Sequence, residues 1–236
     1  VSVWAVSDLH LSLARPDRRD RFGARWGDHV AKLEAGWRAA VRPEDLVLIP
    51  GDVSMARNHR ELQPDLRWLE SMPGRKVLAP GNHDAWWNDL AKIRPLLRPS
   101  LRAVEGTAEV VAGVLVAGAR SMAVPRVDDP NAPVDEKAVA RTLAGLETAL
   151  ETASALRQGP EQPLILLWHF PPFDAYNRPG PWVESFERHG VSACLYGHLH
   201  IQSQWSRAVQ GLRGNVRYQC VAADAVGFRP IRVAGV

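Results

Sequence analysis

Cysteine is almost missing from this chain. The two that occur, Cys194 and Cys220, cannot build a disulfide framework and match no zinc ribbon, so reduced, buried thiols are expected. No apolar run reaches membrane-spanning length, so no membrane partner is expected. No signal-peptide pattern precedes Val1, where a strand pattern starts at once, and a cytoplasmic location is expected. Strong charge of one sign is also lacking. Lys and Arg total 29 against 26 Asp and Glu, a net +3, so no overall field calls for nucleic acid. A Gly-x-Ser-x-Gly elbow and a plausible reactive cysteine are both absent, which argues against a covalent nucleophile. Repeats, low-complexity tracts and linkers are absent too. The 236 residues, 46 % hydrophobic and 23 % charged, are therefore expected to form one domain, 1–236, with a sizeable core.

What the chain does have is a repeated design of apolar strand followed by a polar turn. Val1–Ser7 reads as a strand ending in Asp8-Leu9-His10, where residues two apart can converge from an extended chain. Asp45–Ile49 ends in Pro50-Gly51-Asp52. Lys76–Ala79 ends in Pro80-Gly81-Asn82-His83-Asp84, Leu164–Trp168 in His169, and Ala193–Tyr196 in Gly197-His198-Leu199-His200. Five of the eight histidines sit at these ends. Carboxyl ends of strands form the ligand crevice in open α/β sheets. Mixed imidazole, carboxylate and amide-oxygen donors suit manganese, iron or zinc rather than a thiolate-selected metal. Two divalent ions would polarise a phosphoryl oxygen and lower the pKa of a water, and an Asp is the natural bridge between them.

Between these strands the pattern predicts helices. One runs from about His29 to Val41, capped by Asp28, with Val30, Leu33, Trp37 and Val41 on one face. A second starts with Pro64 in its first turn and ends near Ser71. Others cover about 89–97, 134–157 and 182–188. Strand-like runs at Leu101–Val104, Ala108–Val111 and Val114–Ala119 suggest antiparallel pairing. Trp86 and Trp87 cannot share one helical face, so one is expected to pack and the other to line a surface. Arg18, Arg19, Arg21 and Arg25 lie in a loop with Asp17 and Asp20, and residues 121–133 form a long loop carrying Asp128-Asp129.

The ordered set Asp-x-His, Gly-Asp, Gly-Asn-His-Asp, lone His and Gly-His-x-His resembles the calcineurin-like metallophosphoesterases over most of the chain. That resemblance implies an α/β fold of two β-sheets packed face to face in a four-layer sandwich flanked by helices. It implies that Asp8, His10, Asp52 and His200 hold one metal and that Asp52, Asn82, His169 and His198 hold another. Manganese is favoured for both. It further implies that His83 acts on the leaving oxygen and that Asp84 orients His83. Protein Ser/Thr phosphatases of the family carry Gly-Asp-x-x-Asp-Arg-Gly and Gly-Asn-His-Glu. Here the text is Gly51-Asp52-Val53-Ser54-Met55-Ala56-Arg57, with Asp84 rather than Glu. The Ser-Asp-Leu-His-Leu-Ser and Asn-His-Asp-x-Trp-Trp stretches look like a bacterial branch of small phosphohydrolases. The expected activity is hydrolysis of small phosphodiesters or nucleotides. A nuclease using the arginines and tryptophans as a stacking surface, or a phosphomonoesterase, is the alternative.

Overall fold

The computed structural model describes residues 1–18, 23–126, 134–159 and 161–235. Two mixed sheets form the centre. The first has the order β11-β1-β2-β3-β4, made of β1 (Val3–Ala5), β2 (Leu46–Pro50), β3 (Arg75–Ala79), β4 (Leu101–Ala103) and β11 (Ile231–Arg232). Strands β1 to β4 are parallel, with Val3 opposite Leu46 and Leu46 opposite Arg75; β11 is antiparallel. The second has the order β5-β6-β7-β8-β10-β9. It contains β5 (Thr107–Val111), β6 (Val114–Gly118), β7 (Leu164–Leu167), β8 (Ala193–Tyr196), β9 (Gly211–Arg213) and β10 (Val216–Cys220), with β6, β7, β8 and β10 parallel.

Continuous apolar strands are what a sheet covered on both faces requires. Side chains alternate across each strand. Leu46 and Leu48 of β2 join Val77, Ile165, Leu167 and Leu195 in the core between the sheets. Val47 and Ile49 of the same strand point the other way, onto Leu33 and Trp37 of α1 (His29–Ala40) and Leu62, Leu66 and Leu69 of α2 (His59–Ser71). Leu164 and Leu166 face Leu146, Ala149 and Leu150 of α4 (Glu136–Leu156) and Phe186 of α5 (Val183–Arg188). The result is the expected four-layer sandwich. Each fully buried Leu in it stabilises by about 1.5–3 kcal/mol. Cys194 and Cys220 are free and buried in the outer core of the second sheet.

Several local expectations are corrected. Helix α2 begins at His59, a turn and a half before Pro64, because Asn58 accepts from Glu61 N (3.0 Å) and caps it. Asp28 does not cap α1; its backbone is left-handed (φ 54°) and its side chain makes no cap bond. Strand β4 pairs in parallel with β3 rather than joining an antiparallel group, so the chain changes sheets before β5; of these three runs, β5 and β6 pair antiparallel. Helix α3 is short (Leu90–Ile93) and continues as a 3₁₀ turn to Leu96. The small helix α6 (Gln202–Trp205) and strand β9 had no clear periodicity to betray them. Arg19, Asp20, Arg21 and Asp128-Asp129 lie outside the described residues. No helix among the described residues is long and apolar enough to cross a membrane.

Candidate metal centre

Each candidate ligand leaves the carboxyl end of a parallel strand. After β1 the chain runs on beside the segment that follows β2, with Asp8 N donating to Gly51 O (3.1 Å) and His10 N to Asp52 O (3.0 Å). Asp8 and His10 do converge, but not through an extended chain. Asp8, His10, Asp52 and His198 have φ of 57°, 42°, 52° and 69°. A non-glycine residue in that region costs on the order of 1–3 kcal/mol, and such strain collects at sites where the surroundings enforce it. Two glycines make the close approach possible. A Cβ at Gly81 would collide with Asp52 Oδ1, and one at Gly197 would collide with Asp8 Oδ2 and Ser7 Oγ.

The candidate ligands form two groups around Asp52. Asp8, His10, Asp52 and His200 each offer one ligand atom within 4.8 Å of the others. His10 Nε2 lies 3.2 Å from His200 Nε2 and 3.7 Å from Asp52 Oδ2, and His200 Nε2 lies 3.4 Å from Asp8 Oδ1. In the second group Asn82 Oδ1 lies 2.9 Å from both His169 Nε2 and His198 Nδ1, and His169 Nε2 lies 3.4 Å from Asp52 Oδ2. Asp52 Oδ1 accepts from His83 N (2.8 Å). Asp52 Oδ2 is buried and takes no hydrogen bond among the described residues. Behind the imidazoles stand further partners: Pro50 O at 3.0 Å from His169 Nδ1, Asp224 Oδ1 at 3.4 Å from His200 Nδ1, and Met55 Sδ at 3.3 Å from His10 Nδ1. Partners on Nδ1 turn Nε2 toward the centre, the arrangement of a metal-binding histidine. A buried carboxylate oxygen with imidazole nitrogens near it and no hydrogen bond among the described residues fits a divalent cation.

Electrostatics point the same way. Burial works to raise the Asp52 carboxyl, but the His169 and His10 imidazoles outweigh it and hold it below the ordinary range. Burial likewise opposes ionisation of Asp8, and His200 and His169 overcome it. Burial pushes His10 down to about 3 and, with the His169 charge, His198 down to about 4. His169 rises to about 9 against its burial because Asp52 is adjacent, and His200 rises to about 10 because Asp224 and Asp8 flank it. Each ligand group thus draws in positive charge, and a cation would compete with those protons.

The residues around the ligands bring further corrections. His83 is exposed at the mouth, its ring 5.3 Å from that of His10. Asp84 does not orient it. The Asp84 carboxylate is buried and accepts from Ser54 N (3.0 Å), Trp86 Nε1 (3.0 Å) and Gly81 N (2.9 Å), so it ties the β2 and β3 turns together. Burial and then the Asp52 charge push it up to about 7, against the Ser54 and Gly81 bonds. Both Trp86 and Trp87 are in the core, because they lie in a turn rather than a helix; Trp87 Nε1 donates to Glu105 (2.7 Å). Neither offers a stacking face. Arg57 is exposed, with its backbone N on Glu61. Arg18 is buried against Glu61 at 2.7 Å. Sequence reasoning missed Asp224, Met55 and Trp26, whose ring stands edge-on 5.5 Å from His10 and 5.4 Å from His200. A signal existed for Asp224, a lone acid after the strand pattern in Val221-Ala222-Ala223-Asp224.

The family model described as calcineurin-like phosphoesterase matches residues 1–202. The chain belongs to that family. Members of the calcineurin-like family hydrolyse phosphoesters with divalent metals, and the cluster of Asp8, His10, Asp52 and His200, buried in all but His200, is a candidate site for one. The chain is 42 % identical over 84 residues to the gene 66 protein of Mycobacterium phage D29, and 34 % identical over 83 residues to that of phage L5. Each match takes in 35 % of this chain and only 40 % of the relative's length. A phosphopantetheinyl hydrolase from Mycobacterium tuberculosis shares the fold. It aligns over 100 % of this chain and 96 % of its own, with a TM-score of 0.56 and 19 % identity.

Proposed function

We propose that the protein is a dinuclear phosphoesterase that hydrolyses small phosphodiesters or nucleotides, with manganese in both positions. The observation that carries this is Asp52. One carboxylate lies within 3.7 Å of His10 and 3.4 Å of His169, one imidazole from each group, with an oxygen that takes no hydrogen bond among the described residues. Asp8, His10 and His200 would complete one position; Asn82, His169 and His198 the other. Bound cations would neutralise phosphoryl charge and make a water more acidic. His83 stands exposed at the open side, from which it would give a proton to the departing alkoxide as the P–O bond breaks. Asp52 holds the His83 backbone in that place. A diester is favoured over a dianionic monoester because Arg57, the arginine nearest after Asp52, is exposed and its backbone is tied to α2 through Glu61.

The test is kcat/KM for a nitrophenyl diester, its monoester and a 2′,3′-cyclic nucleotide on one preparation, with Mn²⁺ and after chelation. Diester turnover at least equal to monoester turnover, lost on chelation and restored by Mn²⁺, is expected. A strong monoester preference overturns the substrate class, and full activity in metal-free protein overturns the mechanism.

A further inference from the structure

We infer that Asp224 is a positioning residue for the Asp8–His10–Asp52–His200 group, holding the His200 ring so that Nε2 faces the centre. Its placement is built in. The chain after β10 is clamped to the chain just before Asp8, with Ser7 N on Val221 O (2.8 Å) and Ala223 N on Ser7 O (3.0 Å). Arg25 donates to Asp224 O at 2.7 Å and fixes the backbone from outside. The side chain is fully buried. Its Oδ1 lies 3.4 Å from His200 Nδ1, and its Oδ2 takes no hydrogen bond among the described residues.

Comparison with the buried aspartates outside the two ligand groups, Asp45, Asp65 and Asp84, separates this from a structural tie. Asp45 accepts from Ser2 N, Arg42 N and Trp4 Nε1. Asp65 accepts from Leu13 N and Ser54 Oγ, and Asp84 from three donors. Each of those carboxylates fastens backbone. The Asp224 carboxylate fastens no backbone among the described residues; its hydrogen bond goes to an imidazole. A buried carboxylate is costly without compensation, and the compensation here is His200, whose other nitrogen faces Asp8 and His10. Carboxylate–imidazole pairs behind a metal fix the tautomer and raise the basicity of the ligand, and losing one costs about 10–100-fold in metal affinity. Asp224 is not one of the four residues whose ligand atoms converge, so it acts through His200.

The inference rests on the metal-binding reading above, and the test separates the two. The full chain, stripped with chelator, is titrated with Mn²⁺ against a chromophoric competitor, alongside Asp224→Asn and Asp224→Ala. Asn is isosteric and guards against an Ala variant that does not fold; circular dichroism checks both. One cation should weaken by about 10–100-fold, more in Ala than in Asn, with the other unchanged. In the stripped protein, ¹⁵N NMR of the imidazoles should show His200 as a single Nδ1-protonated form or an imidazolium, and a tautomer mixture in the variants. Folded variants that bind both cations like the parent, with unaltered His200 signals, overturn the role of Asp224. A parent that binds no cation overturns the metal reading instead, and the NMR comparison then still judges the His200 contact.

Discussion

The two ligand groups around Asp52 differ in a way that matters. Asp8 and His10 are buried beside the β2 turn, and their group owns a second carboxylate in Asp8. The other group has only the neutral Asn82 amide and two imidazoles besides the shared Asp52, and Asn82 is exposed. The first group therefore carries one more negative charge in a drier place, where each charge counts for more. Its outer ring nitrogens are met by Asp224 and Met55, whereas His169 has only the Pro50 carbonyl. On the two-cation reading, one position is built to retain its ion and the other to be lost first on dilution.

The comparison breaks completely if its shared member goes. Asp52→Asn keeps the shape and can still accept from His83 N, but it turns an amide N–H₂ toward His10 and His169. Both cations should leave, and activity should fall further than in any other single variant. Elemental analysis finding either metal at full occupancy would contradict Asp52 as bridge. Next in size is His83→Ala, expected to lower kcat by about 10²–10⁴, the usual worth of a placed acid, with metal content intact. Parallel loss of metal and turnover would instead make His83 a ligand.

Much of this centre was legible because the family's residues sit at strand ends, and apolar strands followed by Gly and a polar triplet are visible without coordinates. The sheet sandwich was legible for the same reason. What could not be read was anything decided by backbone outside the regular angles. Asp8 and His10 meet through left-handed residues, which alternation cannot foresee. The family resemblance implied that Asp84 orients His83; the turn instead sends its carboxylate inward to Ser54, Gly81 and Trp86. Trp86 and Trp87 fooled a helical rule because they occupy a turn. Met55 gave no clue, since a thioether behind an imidazole leaves no spacing pattern.

A smaller change sharpens the asymmetry. Asn82→Ala removes one oxygen from the weaker group and leaves the first group whole. One cation should drop out at low Mn²⁺, with activity recovering as Mn²⁺ is raised. His200→Ala removes one imidazole from a group that still keeps Asp8, His10 and Asp52, and should recover at lower Mn²⁺ than Asn82→Ala. Calorimetric titration of both variants decides it, and equal recovery would show that the two groups do not differ in grip.

The smallest expected effect concerns what keeps the groups in register. Asp84 joins the turn after β2, through Ser54, to the turn after β3, through Gly81, and so couples the Asp52 side to the Asn82 side. All three groups facing it are donors. Asp84→Asn can keep its oxygen on Ser54 N and Trp86 Nε1, but its amide nitrogen must then meet Gly81 N–H. One hydrogen bond is lost and donor is set against donor, a loss of about 1–3 kcal/mol. Removing a charge from a buried site near Asp52 offsets part of that, so the lower end of the range is expected. The readout is a modest fall in Tm by calorimetry in chelator. Adding Mn²⁺ should recover most of it, because ligands on both turns would then be held from the centre. A variant as stable as the parent in chelator would mean that the two turns are registered without Asp84, by the β2–β3 pairing and the Asp52–His83 bond.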